Sequence, residues 1–454
     1  MTTIVVVLVI YFAAMIAIGF AGRNKANNFE QYLNMGRTGG VILLMGGCIG
    51  SQIGNGFVVG GAAEGASVGL AGSAYGLACA ISCLLVGIIL NDFIYKNNYM
   101  SMADYTMQRY NNAVPGTIYD LSTSLSSVGL CAGQLMAGKA LFEAFGMSGT
   151  VGVLVIAAVV FIYSEFSGLW GAFATSVVQT VVIAIGLVLT VAVLLSRGAV
   201  GEMSAAVSAG TIASSSLDFS GLTAAGFAGM MLPLILGMVT DQPSYQRINS
   251  AKSAKASKIA CIASFVVMLP LAIMPAFVGS YGAFKYGATG NDAFFIVIMN
   301  ELPSIVTAMI IAAVLAAVMS TIDATFITVN TCLTRDIWQG AMKKEASEKQ
   351  LKVSTLAINL IFIVVAVTLA LTSSSILNLF NNVYSFLAAA CFVPFVGGVA
   401  WKKGNASGAV AASIVGVIMV VISWFGVSYP IPTVFPIIIS GIAYIIVSLA
   451  TQKK

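Results

Sequence analysis

Residues 50–57, Gly-Ser-Gln-Ile-Gly-Asn-Gly-Phe, interrupt an apolar run that extends from residue 39 to residue 66. A run of this length can cross a bilayer as a helix, but each glycine inside a helix costs about 1 kcal/mol relative to alanine. Three glycines among Ser51, Gln52 and Asn55 therefore favour a break in the helix. Unwound backbone is tolerated at membrane depth only where it lines a cavity or meets protein, so the interruption indicates a buried polar site.

Close helix packing is the alternative explanation for these glycines. Gly56 and Gly60 form a GxxxG pattern, as do Gly61, Gly65 and Gly69, and small residues of this spacing let membrane helices approach each other. Packing explains the glycines but leaves the neighbouring polar side chains unexplained. We therefore expect a broken helix.

The composition of the whole chain is that of a polytopic membrane protein. Hydrophobic residues make up 59% of the 454 residues and charged residues only 8%, whereas a soluble domain carries about 25% charged residues. No basic face for nucleic acid is visible. Histidine is absent, and with it the commonest general base. We expect no enzyme activity and no binding of nucleic acid.

Apolar runs predict an all-α protein with about thirteen transmembrane helices. A β-barrel would instead require alternating segments of about ten residues. The separation of the fifth run from the sixth depends only on a few polar residues and glycines near residue 168. The predicted spans are 2–20, 39–66, 69–91, 116–146, 150–163, 169–196, 223–240, 259–282, 303–333, 353–372, 374–399, 406–427 and 432–450.

Basic residues predict the orientation of these spans. With the N-terminus outside and the C-terminus inside, cytoplasmic segments contain every lysine and arginine except Arg197 and Lys285, which fall outside, and Lys139, which lies within a span. This distribution follows the positive-inside rule. The longest connectors, such as 198–222, are too short to form a soluble domain.

A second polar interruption lies in the ninth span. Residues 316–325 read AAVMSTIDAT, and hydroxyl groups continue toward residue 334. Thr321, Thr325 and Thr328 fall on one helical face, with Asp323 about 200° around the axis from Thr321. Hard cations take oxygen ligands, and an intramembrane aspartate suggests function. The hydroxyls also have a structural explanation, hydrogen bonding back to their own helix.

A third polar region, TDQPSYQR at 240–247, lies where the seventh span meets a cytoplasmic loop. Asp241 and Arg247 can pair there. The pattern fits a clasp or inner gate as well as it fits contact with a ligand.

Together these segments resemble the sodium/solute symporter family, which includes sodium/proline, sodium/sialic acid and sodium/galactose carriers. The strongest match is AAVMSTIDATFITVNTCLTRDIW at 316–338, supported by TDQPSYQR, by GLWGAFATSVVQ at 168–179 and by GFVVGGAAEGASVGLAG at 56–72. The resemblance implies a leucine-transporter-like fold with two five-helix inverted repeats. The expected divisions are 1–38 (extra helix and cytoplasmic loop), 39–222 (first repeat, spans two to six, and outer loop), 223–427 (second repeat, spans seven to eleven at 223–399, and span twelve) and 428–454 (span thirteen and tail).

The resemblance also implies a sodium site between the second and ninth spans. Its ligands would be the carbonyls of Gly50, Ile53 and Ala317 and the hydroxyls of Ser320 and Thr321. Many family members carry an aspartate where this chain has Ser176, which leaves a second sodium ion in doubt.

The resemblance places the solute cavity among the second, third, fourth, seventh and eleventh spans. Because the positions on the seventh span are apolar, unlike a sugar carrier, a compact amino acid or small carboxylate is favoured. The candidates are Gln52, Asn55, Phe57, Gln134, Leu234, Gly237, Met238, Asn382 and Tyr384.

The resulting hypothesis is a sodium-coupled symporter of the inner (plasma) membrane that imports a small organic solute by alternating access. Its expected partners are the solute, sodium and the lipid bilayer, and the oligomeric state stays open. The alternatives are a proton-coupled or uncoupled carrier of the same fold, a sugar or vitamin substrate, and a membrane sensor that does not transport.

Overall fold

The computed structural model describes residues 2–25, 28–144, 146–342, 345–373, 376–429 and 434–452, and every regular element in these ranges is helical. The first residues of the predicted eleventh and thirteenth spans, 374–375 and 432–433, lie outside them, as do Lys343, Lys344, Lys453 and Lys454. The α-helices are α1 Thr2–Ala21, α2 Phe29–Asn34, α3 Val41–Gln52, α4 Gly61–Val68, α5 Ala74–Leu85, α6 Asn91–Asn97, α7 Met102–Tyr110, α8 Ala113–Ala144, α9 Gly149–Ser196, α10 Ala199–Ser208, α11 Ala224–Val239, α12 Gln242–Asn249, α13 Ala254–Tyr286, α14 Asp292–Glu301, α15 Ser304–Val329, α16 Glu348–Thr372, α17 Ile376–Ala400, α18 Ala406–Trp424 and α19 Val434–Ala450.

Eight of the described helical segments are long and apolar enough to cross a membrane, or nine if the bent pair α11–α12 counts as one span. Thirteen spans, and the orientation of the two termini, remain predictions. The uncertain boundary between the fifth and sixth spans does coincide with a break in α9. Gly168 has φ 54° and ψ −154°, a conformation that favours glycine.

Helix α15 lies at the centre of the molecule. It packs against α9, α8, α1 and α3, and its residues from Ile310 to Asp323 are all buried. A helix that is apolar around its whole circumference is expected in such a central position. The hydroxyl-rich segment of α15 is therefore enclosed by protein and can reach several neighbouring helices.

Breaks occur at the first span of each predicted repeat. Helix α3 ends at Gln52 and is followed by a π-helical turn at Gly56–Gly60 and then α4, while α11 and α12 meet at an angle of 46°. Interrupted helices at corresponding positions of two repeats are typical of transporter folds with inverted repeats. The division of the chain into repeats stays a prediction that this pattern favours.

The two basic residues that fall outside under the predicted topology meet at one carboxylate. Glu301, at the end of α14, accepts a hydrogen bond from Arg197 at 2.7 Å and lies 3.3 Å from the Lys285 amine. Burial alone would raise the pKa of Glu301, but hydrogen bonds from Tyr286, Arg197 and Lys285 lower that pKa to about 2. These exceptions to the charge rule thus tie α9, α13 and α14 together at one end of the bundle.

Candidate functional site

The second predicted span is broken at Ile53 and Gly54. Ile53 has φ −83° and ψ 73°, and the backbone N–H of Phe57 donates to the Gly54 carbonyl at 3.1 Å. In a continuous α-helix that N–H would bond to the Ile53 carbonyl four residues earlier. The break therefore removes the normal helical partner of the Ile53 carbonyl, and the prediction of a broken helix is confirmed.

Four oxygen atoms from α3 and α15 converge beside this break. The Ser320 hydroxyl donates to the Gly50 carbonyl at 2.7 Å and to the Ala317 carbonyl at 3.1 Å. The Thr321 hydroxyl lies 3.4 Å from the Gly50 carbonyl and donates to the Ala317 carbonyl at 3.1 Å. All four groups are neutral and buried, with Ser320 only 2% exposed. A cluster of neutral oxygens suits a weakly held monovalent cation better than a divalent one.

Ser176 of α9 closes a third side of this cluster. A Cβ atom added to Gly50 would lie 2.7 Å from both Cβ and Oγ of Ser176, and Ser176 is itself buried. The close approach of the two helices thus requires glycine at position 50. It also places a third helix, carrying a hydroxyl rather than a carboxylate, next to the candidate sodium ligands.

Asp323 faces away from the four oxygens. Its carboxylate accepts a short hydrogen bond from Ser164 of α9, whereas the Ser320 hydroxyl faces Gly50 of α3. This agrees with the helical spacing, which puts Asp323 and Thr321 on nearly opposite faces of α15. In this conformation Asp323 joins α15 to α9 just beyond the end of the predicted fifth span.

Three of the candidate solute residues meet at the break. The backbone N–H of Asn55 donates to Oε1 of Gln134 at 2.8 Å, and the side-chain amide of Asn55 donates to the Gly133 carbonyl at 3.4 Å. Among the described residues, Oε1 of Gln52 and Oδ1 of Asn55 are buried without a hydrogen-bond partner. Buried acceptors of this kind are usually satisfied, so these two are available to a donor group of a solute.

The two candidate sites touch each other through Gly54. A Cβ atom at this position would lie 2.7 Å from Nε2 of Gln134 and 2.8 Å from the Thr321 hydroxyl. Gln134 belongs to the proposed solute site and Thr321 to the proposed sodium site. Gly54 therefore brings the two sets of side chains together at the break.

The other solute candidates are distributed around this centre. Leu234 is buried and Phe57 packs against Gly76 of α5. A Cβ atom added to Gly237 would lie 3.3 Å from Cδ1 of Tyr384, a close approach of the two helices. Met238 lines the same small cavity as Gln52. Asn382 is exposed in this conformation, and its place in the solute cavity stays a prediction.

Two aromatic residues near the break were not identified from the sequence. Tyr75 and Phe380 are stacked, with ring centroids 6.5 Å apart. The Phe380 ring packs against Gly56 on one side and Gly133 on the other. The only sequence signal is the pair of glycines that receives the ring, and it cannot be read without knowing which helices are neighbours.

Arg247 of α12 is buried and joined to α3. Its guanidinium donates to the Cys48 carbonyl at 3.2 Å, to Ser51 Oγ at 2.8 Å and to Ser244 Oγ at 2.9 Å. The predicted pairing with Asp241 is present, at 3.8 Å. With these partners the guanidinium is occupied by protein groups, which favours the clasp over the ligand-contact interpretation in this conformation.

Arg247 also forms part of the wall of two small cavities. One is lined by Gln52 and Met238 on the solute side, and the other by Ser176 and Ser320 on the sodium side. Each offers about 10 Å³ of water-accessible space, which is about enough for one water molecule. Arg247 therefore borders both the space beside the solute candidates and the space beside the sodium candidates, and α3 contributes to the walls of both through Cys48 and Ser51.

Several characterised transporters resemble the chain along most of its length. It is 26% identical to the sodium/proline symporter of Escherichia coli (strain K12), over 95% of this chain and 90% of the relative. It is 25% identical to the sodium/myo-inositol cotransporter 2 of Rattus norvegicus, over 91% of this chain and 69% of the relative. The high-affinity choline transporter 1 of Caenorhabditis elegans is 24% identical over 97% and 81% of the two chains.

Solved structures show the same fold. A sodium-coupled sialic acid symporter in a substrate-bound, outward-open state superposes with a TM-score of 0.85 at 19% identity, covering 99% of this chain and 98% of that one. A nucleobase-cation-symport-1 family transporter gives a TM-score of 0.60 at 15% identity, covering 92% and 94%. These transporters have the leucine-transporter-like architecture that the sequence resemblance implied.

A family model described as the sodium:solute symporter family matches residues 32–416. The match contains the broken span, the oxygen cluster on α15 and the clasp at Arg247. Since it covers most of the chain, the protein belongs to the sodium:solute symporter family.

Proposed function

We propose that the protein is a sodium-coupled symporter that imports a small organic solute across the plasma membrane. The observation that carries this proposal is the convergence of the Gly50 and Ala317 carbonyls with the Ser320 and Thr321 hydroxyls at a broken helix. With Ile53, these are the residues that the resemblance nominated as sodium ligands. The Ile53 carbonyl, which has lost its helical partner, completes the proposed set.

Sodium binding would exchange hydrogen bonds for coordination. In this conformation the Ser320 and Thr321 hydroxyl protons point at the Gly50 and Ala317 carbonyls. These protons would turn away when a cation occupies the space between the four oxygens. The ion then joins α3 to α15 and holds the break in one conformation. Through Gly54, the same conformation positions Gln134 and Asn55 for the solute. Coupling follows because each ligand binds one conformation better than the other.

The membrane potential supplies part of the driving force. One charge moved fully inward across about −100 mV gains about 2.3 kcal/mol, which corresponds to a roughly fiftyfold accumulation of solute. This gain requires that sodium and solute move together and that the solute carries no net charge, as a zwitterionic amino acid does; with a monovalent carboxylate the pair would be neutral and the potential would contribute nothing. An uncoupled carrier with the same fold would equilibrate the solute and accumulate nothing.

The solute that fits best is a compact amino acid or small carboxylate carrying an N–H or O–H donor. The unpartnered acceptors on Gln52 and Asn55 call for such donors. Leu234, Gly237 and Met238 are buried apolar positions of α11, and Met238 lines the same small cavity as Gln52. The likeness to a sodium/proline symporter supports this class. The likeness to a sodium/myo-inositol cotransporter makes a polyol the alternative to be tested beside it.

Thermal unfolding of the purified protein tests the ion. Sodium chloride should raise the melting temperature above the value in equimolar potassium chloride, because a ligand that binds the folded state stabilises it. Ser320→Ala combined with Thr321→Ala should abolish the sodium-dependent rise and leave the melting temperature in potassium within a few degrees of wild type. A wild-type protein that does not distinguish the two salts would contradict sodium coupling and favour the proton-coupled or uncoupled carrier.

The same assay identifies the solute class. Amino acids, short carboxylates and polyols are added singly, with sodium and with potassium. The true solute should raise the melting temperature more in sodium than in potassium, since the two ligands favour the same conformation. Gln52→Leu should remove the response to the solute while retaining the response to sodium alone. A polyol that gives the largest sodium-dependent shift would replace the amino-acid assignment.

A further inference from the structure

A seam of polar side chains lies between α8 and α15. It begins at the site described above and leads away from it. At its upper end Gln134 and Thr321 meet at Gly54. Farther along, Cys131 lies beside Thr325. The contact positions follow helical spacing on both partners, so each helix presents one continuous face to the other.

The lower end of the seam contains a buried acidic cluster. Asp120 of α8 is 0% exposed and lies beside Cys332 of the π-helical segment Asn330–Met342 that continues α15. The charged groups that act most strongly on its carboxylate are Asp336, Asp104 and Arg335. Asp120 is fourteen residues from Gln134 on one helix, a distance of about 21 Å along its axis. The seam therefore connects the proposed sodium site with a cluster near the predicted cytoplasmic end of the bundle.

The cluster has more negative than positive charge. Arg335 is shared between Asp336 at 2.5 Å and Asp104 at 3.1 Å. Asp104 also accepts hydrogen bonds from the backbone N–H groups of Met100 and Ser101, as part of a helix cap. One guanidinium thus serves two carboxylates and leaves none for Asp120.

Several oxygen atoms of the cluster have no partner. Within the described part of the chain, neither carboxylate oxygen of Asp120 has a hydrogen bond of normal geometry, and neither does Oδ2 of Asp336. The hydroxyls of Thr123 and Thr334, which flank the two aspartates in sequence, are also buried and unpartnered. Burying an uncompensated carboxylate away from water is strongly unfavourable. A cation bound between Asp120 and Asp336 would offset this cost.

We propose that Asp120 and Asp336 form a second sodium site at the cytoplasmic end of the seam, where the ion pauses after leaving the primary site. The ligands are hard carboxylate oxygens, the kind that sodium accepts. Buried hydroxyl side chains of α8 and α15, among them Ser127 and Thr328, lie between the two sites along these helices. In this chain, which has Ser176 rather than a carboxylate beside the primary site, Asp120 supplies the negative charge that draws the ion inward. The inference rests on the proposed sodium-coupled function.

Binding of radioactive sodium to the purified full-length protein tests both sites without a known solute. Wild type should bind about two sodium ions per chain at saturation. Ser320→Ala combined with Thr321→Ala should remove the primary equivalent, Asp120→Asn should remove the other, and the three changes together should abolish saturable binding. Asp92→Asn is the matched control, because Asp92 is an exposed carboxylate paired with Lys96, and it should bind as wild type does.

Asp120→Asn keeps the size of the side chain and removes a buried charge. Its melting temperature without sodium should therefore equal or exceed that of wild type, which separates loss of the site from loss of folding. If Asp120→Asn is folded and still binds two sodium ions, the second site is wrong and the proposed function stands. If it binds two sodium ions but no longer takes up a proton that wild type binds near neutral pH, the site holds a proton and the sodium assignment is overturned. If the Ser320 and Thr321 changes leave binding unaltered, the proposed primary site is wrong instead.

Discussion

Single alanine substitutions at Gly54 and Gly56 should have different effects, although the two glycines are only two residues apart. Alanine gains up to about 1 kcal/mol over glycine wherever the segment is helical. Against this, the added methyl at Gly54 meets the ends of two side chains, Gln134 Nε2 at 2.7 Å and Thr321 Oγ1 at 2.8 Å. These atoms can move aside by rotation, so the cost to folding is small. Moving Thr321 displaces a proposed sodium ligand, and sodium affinity should fall about tenfold or more, equivalent to about 1.4 kcal/mol.

The methyl at Gly56 meets a rigid group. It would lie 2.7 Å from Cδ2 and 2.8 Å from Cε2 of the Phe380 ring, whose other edge packs against Gly133. Because the ring cannot move away, we expect an overpacking cost of about 1–3 kcal/mol. Gly56→Ala should lower the melting temperature more than Gly54→Ala and leave sodium affinity near the wild-type value.

Both quantities can be measured on the same purified proteins, by thermal unfolding in potassium and by titration with sodium. Gly61→Ala is the control, because a methyl there would approach no atom closer than Cβ of Pro275 at 3.4 Å. It should leave sodium affinity unchanged and should not lower the melting temperature, because alanine is favoured over glycine in a helix. A folded Gly54→Ala protein with wild-type sodium affinity would refute the reasoning, since the break would then hold no ligand of the ion.

Two further predictions concern charge. Ser176 offers a hydroxyl where a carboxylate would favour an additional cation, so uptake by wild type should depend on external sodium with a Hill coefficient near one. Ser176→Asp should raise that coefficient toward two; a wild-type value near two would show that a second external sodium binds without this carboxylate. Glu301, whose pKa is lowered to about 2, stabilises the fold fully above the unfolded pKa of about 4.3, and this contribution is lost as the pH falls from there toward 2. Glu301→Gln should therefore be less stable than wild type by about 2–3 kcal/mol above pH 5. In thermal unfolding between pH 6 and pH 3 this difference in stability should shrink on acidification. A difference that does not change with pH would show that it does not come from the charge of Glu301.

Local sequence patterns predicted the features that depend on one helix at a time. Glycines and amides inside an apolar run predicted the break that the structure places at Ile53 and Gly54. The spacing of Thr321 and Asp323 predicted that they lie on nearly opposite faces of one helix, and the structure joins them to α3 and α9 respectively. These features follow from helix propensity and periodicity, which act over a few residues.

Features that depend on pairs of helices could not be read in the same way. Nothing local to Phe380 indicates that its ring fills the space left by Gly56 and Gly133. Asn382 was nominated by resemblance as part of the solute cavity; it is exposed in this conformation, and its role stays a prediction. The glycines of the second predicted span show that the two explanations offered for them, a broken helix and close helix packing, both apply. Gly54 lies at the interruption, and Gly65 approaches the backbone of Ala276 closely.

The clasp at Arg247 connects the proposed sodium site to the predicted cytoplasmic side of the protein. Arg247 contacts the Cys48 carbonyl and the Ser51 hydroxyl, and the proposed ligand Gly50 lies between these two residues on α3. An ion that fixes Gly50 against α15 therefore also fixes the part of α3 that accepts hydrogen bonds from the Arg247 guanidinium. Hydrogen bonds to charged groups contribute about 1.5–3 kcal/mol each, so the clasp resists opening as long as α3 keeps this position. We infer that sodium favours a closed inner side, and that its departure loosens α3 and the clasp together, which allows solute and ion to leave on the same side.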